Sequence, residues 1–163
     1  MRVVPNIATT DHADLESLRA FLEGKRHLVL VTTRSNGLPQ ISPVTGVAVG
    51  GGGDDDPLRV LVSSYPSRAK TKNLVRDGSC AVLVLSDDFD GPWVTLYATA
   101  SVRDGEDGVE ALVEYYRAAA GEHDDWDEYR TAMIRQGKSI VRITPEHWGP
   151  IATGGFPPDK VPS

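Results

Sequence analysis

The chain has a single cysteine, Cys80, so it forms no internal disulfide and no thiolate metal cluster. Its neighbours Ala81, Val82, Leu83 and Val84 mark it as a core residue and not a reactive thiol. Histidine is also scarce. The four, at positions 12, 27, 123 and 147, share no metal-ligand spacing, and no metal site is expected. No apolar run approaches the roughly 20 residues that span a bilayer. Met1 to Asp14 holds no stretch of signal-peptide length, so a cytoplasmic protein with no membrane partner is expected. Net positive charge is missing too: the formal balance is −6 at pH 7, the wrong sign for coating nucleic acid. There is no Walker-type glycine pattern, which removes that route to phosphate.

What is present suits one folded domain. At 163 residues, with 40% hydrophobic and 25% charged side chains, the chain can bury a single sizeable core, and residues 1–163 are read as one domain. Leu15, Leu18, Phe21 and Leu22 fall at helical spacing between Asp11, a possible cap, and Gly24, which predicts a helix over 11–23. Short runs rich in β-branched residues predict strands over 27–33, 38–49, 58–64, 79–86, 93–103 and 138–143. Ser35-Asn36-Gly37 turns the first pair, while Pro39 and Pro43 place the second strand at an edge or a bulge. Helices are further predicted over 67–76, 109–120 and 124–136, and residues 144–163, rich in proline and glycine, as an irregular tail. Most of the links are too short for parallel crossovers. The expected fold is therefore mainly β with peripheral helices, an α+β chain built on a six-stranded antiparallel barrel.

The chemistry concentrates in Ser63-Ser64-Tyr65-Pro66-Ser67-Arg68-Ala69-Lys70-Thr71-Lys72-Asn73-Leu74, where a strand ends, a hydroxyl-rich turn follows and a basic helix starts. Ser67 is placed to cap that helix. Its first free N–H groups, with Arg68 and Lys70 or Lys72, suit a phosphate. Backbone groups freed from the ladder near Pro39 and Pro43 could meet the polar edge of a flat ring. The acidic, aromatic stretch Glu122 to Tyr129 reads as a helix start with one packed face and is assigned no chemistry.

Over roughly residues 12–148 the chain resembles the flavin-binding split-barrel family of pyridoxamine-phosphate-oxidase-like proteins, and within it the actinobacterial reductases that use the deazaflavin coenzyme F420. The resemblance is carried by Leu30-Val31-Thr32-Thr33-Arg34, by Gly37 through Val44, by Ser67 through Leu74, and by Trp93 through Ala100. It implies a split β-barrel and a cofactor phosphate held by Arg68, Lys70 and Lys72. It further implies a ring beside Gln40, Ser42, Pro43 and Val44, with Thr32, Ser63 and Ser64 as hydroxyl partners of the ribityl chain. His147 and Trp148 would reach the pocket from a dimer interface. The implied reaction is hydride transfer between coenzyme F420 and an unsaturated small-molecule substrate. An FMN-binding oxidase or reductase, or a carrier that merely binds the cofactor, are the alternatives. No catalytic acid is assigned; Tyr97 or water could deliver a proton. A homodimer is expected, because one small barrel offers a large flat cofactor only a shallow groove.

Overall fold

A computed structural model describes residues 6–160. The elements in chain order are β1 (Thr9–Asp11), α1 (Leu15–Leu22), β2 (His27–Thr33), β3 (Pro39–Val49), β4 (Arg59–Ser64), α2 (Ala69–Arg76), β5 (Ser79–Val84), β6 (Val94–Asp104), α3 (Val109–Ala120), α4 (Trp126–Arg135), β7 (Ser139–Trp148) and β8 (Ile151–Thr153). Six strands close into an antiparallel barrel in the order β2-β3-β4-β7-β6-β5, the six predicted from the sequence.

Alternation along each strand decides what fills the barrel. Leu28 and Leu30 of β2 lie opposite Val44 and Ser42 of β3, and opposite Val84 and Val82 of β5. This inward set, with Val60, Leu96, Val141 and Ile143, forms the main core. Two helices complete it from the two ends. Leu18 and Leu22 of α1 join the core near the start of β2, and Leu74 of α2 joins it near the other end, where Asn73 Nδ2 donates to the buried Thr32 hydroxyl at 3.1 Å. A second core lies outside the barrel, where Leu112, Val113 and Tyr129 of α3 and α4 pack on Val47, Leu61 and Ile140. The outer face of β2, β5 and the first half of β3 has no such cover among the described residues.

Three expectations are corrected. The first helix starts at Leu15, not Asp11, and its cap is Asp14, whose side chain accepts from the Ser17 N–H at 2.8 Å. Asp11 is instead drawn into β1, which pairs with β8. The stretch 144–163 is not an irregular tail throughout: β7 runs on to Trp148, pairing with β6 across a bulge at Tyr97/Ala98, and β8 follows. Pro145 lies beyond Ile143, the last residue of β7 that β4 flanks, and opposite Ala98 at the bulge in the pairing with β6, a place where a proline is accommodated. Cys80 is half-buried at the core margin, and burial pushes its thiol up to about 11, which keeps it protonated and unreactive.

The caps and surface pairs give the fold an acid limit. The Asp14 and Asp77 carboxyls lie below their ordinary 3.8, chiefly because each accepts a backbone N–H, from Ser17 and Ser79. Glu110 and Glu122 lie below 4.5 through hydrogen bonds from Arg130 and Trp126. Carboxyls depressed on folding stabilise the native state above their unfolded values and lose that contribution as pH falls through the folded ones. Calorimetry is expected to show a thermal midpoint that is flat from neutrality to about pH 5 and falls steadily below that.

Candidate functional site

The register of β3 creates an opening in the barrel wall. Its second half, Gly46 to Val49, pairs with Val62 to Arg59 of β4, but the pairing stops there. Residues Pro39 to Thr45 pair only with β2, whereas β4 continues through Ser63 and Ser64 alongside β7. The two strands therefore part at Thr45 and Ser63, and the first half of β3 is a free edge. This explains both prolines. Pro39 and Pro43 have the same parity, so both missing donors fall on the unpaired side, together with the backbone groups of Ile41 and Thr45. A strand rises about 3.3 Å per residue, so the six steps from Thr45 to Pro39 give an edge about 20 Å long.

The cationic turn lies where the split opens. Beyond Ser64 the chain turns through Tyr65 to Arg68, with the Arg68 N–H on the Tyr65 carbonyl at 3.1 Å, and enters α2. Ser67 is exposed and does not cap. Arg68 occupies the capping position and offers no acceptor, so the first N–H groups of α2 have no side-chain partner. Thr71, Asn73 and Leu74 face inward, leaving Arg68 and Lys72 exposed and Lys70 half-buried. Among the described residues none of these three cations lies in an ion pair or a side-chain hydrogen bond, although the chain is acidic overall. Burial and the neighbouring Arg68 charge hold the Lys70 ammonium below its ordinary range. Two cations are thus crowded at an uncapped helix start with no carboxylate between them, an arrangement of charge complementary to an anion.

The other expected residues divide by the direction of their side chains. Gln40, Ser42 and Val44 share the inward parity of Leu30, and Gln40 accepts from Arg34 at 2.6 and 3.0 Å. Pro43 points outward. The Thr32 hydroxyl accepts from Asn73, and Ser64 Oγ lies 2.8 Å from Thr71 Oγ1, so both buried hydroxyls fasten α2 to the barrel. Ser63 is half-buried at the point where β3 and β4 part. Trp148 stands apart from the cationic end, its indole N–H donating to the Ala13 carbonyl at 2.7 Å beside α1. Of the outward set, the sequence singles out Tyr97 and His147 as site candidates but not Ile41, Val29, Val31 or Leu83. Ile41 is 60% exposed, Tyr97 is 45% exposed and stacks on His147 with centroids 4.8 Å apart, and Val29, Val31 and Leu83 complete an apolar sheet face. The strand alternation carries the signal for that face: Ile41 and Tyr97 are apolar or aromatic at positions where a solvated face calls for polar residues.

A closed six-stranded antiparallel barrel in which β3 and β4 part along half of β3, with a cationic turn beside the gap, has the architecture of the small split barrels. The family model described as pyridoxamine 5'-phosphate oxidase matches residues 15–152, and the chain belongs to that family. Solved structures agree on the fold. A conserved hypothetical protein from Mycobacterium tuberculosis is 20% identical with TM-score 0.65, over 87% of this chain and 86% of that one. An F420 reductase is 15% identical with TM-score 0.57, over 80% and 94%. The heme storage protein of Vibrio cholerae is 19% identical with TM-score 0.59, over 86% and 95%. Among the described residues no helix is long and apolar enough to cross a membrane.

Proposed function

We propose that the chain is an oxidoreductase that binds the deazaflavin coenzyme F420 in the β3–β4 split and passes hydride between it and an unsaturated organic molecule. The observation that carries this reading is the group of cations at Arg68, Lys70 and Lys72, which forms no ion pair among the described residues and stands where β3 and β4 part. Arg68, Lys70 and the free N–H groups of α2 would hold the phosphodiester. The backbone groups of Ile41 on the free side of β3 would face the polar edge of the ring, with Pro39 and Pro43 keeping that edge free of a further strand. When bound, the coenzyme supplies the hydride chemistry, and the chain's own residues bind, orient and exclude water. The choice of deazaflavin over FMN rests on the Arg-x-Lys-x-Lys-Asn-Leu pattern and on the structural likeness to an F420 reductase. The apolar sheet face at Ile41, Val31 and Tyr97 supports a homodimer.

Fluorescence titration of the purified apoprotein with each cofactor tests the reading. Tighter binding of the deazaflavin than of FMN is expected. Preference for FMN would move the protein to the flavin oxidases of its family, and binding of neither would remove the proposed activity.

A further inference from the structure

The helix that carries the cations also reaches across the gap beside them. β3 and β4 form no ladder beyond Gly46 and Val62, so at this end the wall is interrupted between β2 and β3 on one side and β4 and β7 on the other. α2 is fastened to both sides. Its Thr71 Oγ1 lies 2.8 Å from the Oγ of Ser64, the last residue of β4. Its Asn73 Nδ2 donates to the hydroxyl of Thr32 on β2, whose partner across the ladder is Gln40 on the unpaired half of β3. Asn73 Oδ1 in turn accepts from Arg76 at 3.2 Å, and Arg76 also donates to the Thr33 carbonyl, so the β2 side is held twice. Thr32, Ser64, Thr71 and Asn73 are each at most 6% exposed. Hydrogen bonds shielded in this way are stronger than those for which water competes.

The order of residues around the helix shows what the two fastenings hold. At about 100° per residue, Thr71 lies about 60° to one side of Leu74 and Asn73 about 100° to the other. Leu74, between them, enters the barrel core. Lys70 is one turn before Leu74 and falls within the same arc, which accounts for its half-burial, while Lys72 is on the opposite face and exposed. Rotation of α2 about its axis would swing Lys70 out of the gap, and a polar contact at each edge of the arc opposes that rotation. Leu74 alone would oppose it less, because apolar contact is non-directional. We propose that Thr71 and Asn73 are positioning residues for the anion: by fixing α2 across the split they aim Lys70 at the ligand's phosphate, and they govern its affinity without touching it. The proposal rests on the cofactor reading above.

Calorimetric titration of the apoprotein with coenzyme F420, and separately with inorganic pyrophosphate, tests it. Thr71→Val keeps the shape of the side chain and loses the hydroxyl; it should weaken both ligands at least fivefold, and Thr71→Ser should bring them back to within twofold of the wild type. Asn73→Leu should weaken both as Thr71→Val does, and if it does not fold the Thr71 series decides alone. Val75→Thr, an exposed change on the same helix, should alter neither. The decisive comparison is made in Lys70→Met, where adding Thr71→Val should cost under twofold, because the group that it positions is gone. A hydrogen bond that only stabilised the fold would give the same loss with or without Lys70. That result, or wild-type affinity in Thr71→Val, would overturn the proposal. Pyrophosphate binding with the expected pattern but no coenzyme binding would remove the cofactor reading and keep the positioning roles, whereas binding of neither ligand would remove both.

Discussion

Arg68→Ala is expected to weaken deazaflavin binding at least tenfold, about 1.4 kcal/mol, while the melting temperature of the apoprotein stays unchanged. The split outcome follows from the position of the side chain. Arg68 is exposed, caps nothing and forms no ion pair among the described residues, so its removal costs the fold no contact. To a bound phosphodiester it would give a forked, charge-assisted hydrogen bond, which is stronger than a neutral one. Lys70→Met sharpens the distinction. The lysine's proton is held less firmly in the native state than in the unfolded chain, because burial and Arg68 disfavour its charge. A base depressed in this way weakens the native state at every pH where it is protonated, so removing it should leave the apoprotein as stable or slightly more so. Binding should weaken even so. In the wild type, affinity should decline as pH rises through the lowered value for Lys70, earlier than an ordinary lysine would allow. Because the two cations are neighbours, the double variant should lose less than the sum of the single losses. A melting temperature that fell in step with affinity would mean that the turn is structural and the anion site does not exist.

The sequence disclosed the barrel because its strands are rich in β-branched residues and separated by strong turn signals, and these are local properties. Residues 109–120 were bounded by the sequence at the same two residues as α3. What escaped it depends on contacts distant in the chain. Asp11 and Asp14 are equally good caps by type, and the choice between them is made by the pairing of Thr9–Asp11 with Ile151–Thr153, more than a hundred residues away. That pairing also orders part of a stretch whose composition reads as loop. The prolines of β3 marked an edge correctly, but the side on which that edge is free emerges only from where β4 stops. For the same reason Gln40, Ser42 and Val44 were grouped with Pro43 as neighbours in sequence, although alternate residues face opposite sides of the wall. Ser67 looked like a cap because a hydroxyl next to a helix start usually is one; the helix begins one residue later, and Arg68 takes the position.

Leu18→Ala should be the most damaging single change near the other end of the barrel, lowering stability by roughly 2–5 kcal/mol, whereas Leu15→Ala should stay within about 0.5 kcal/mol. Both residues lie in α1, and both changes raise intrinsic helix propensity slightly, so propensity cannot separate them. Burial does. Leu18 is fully enclosed in the barrel core with Leu28, Leu58 and Val84, while Leu15 is 48% exposed. Truncating Leu18 removes apolar contact and leaves a void that six hydrogen-bonded strands cannot close, because each strand is fixed by two neighbours. For a chain of this size each kcal/mol moves the melting temperature by roughly 2–4 °C, so the variants should be separable in one scan. The urea midpoint should drop without a change in slope if α1 unfolds together with the barrel. A lower slope would mean that α1 detaches first and leaves a barrel open at that end. In either case the β3–β4 split, formed from other contacts, should bind its ligand unchanged while the protein remains folded. Equal losses for Leu15→Ala and Leu18→Ala would show that α1 does not close the barrel.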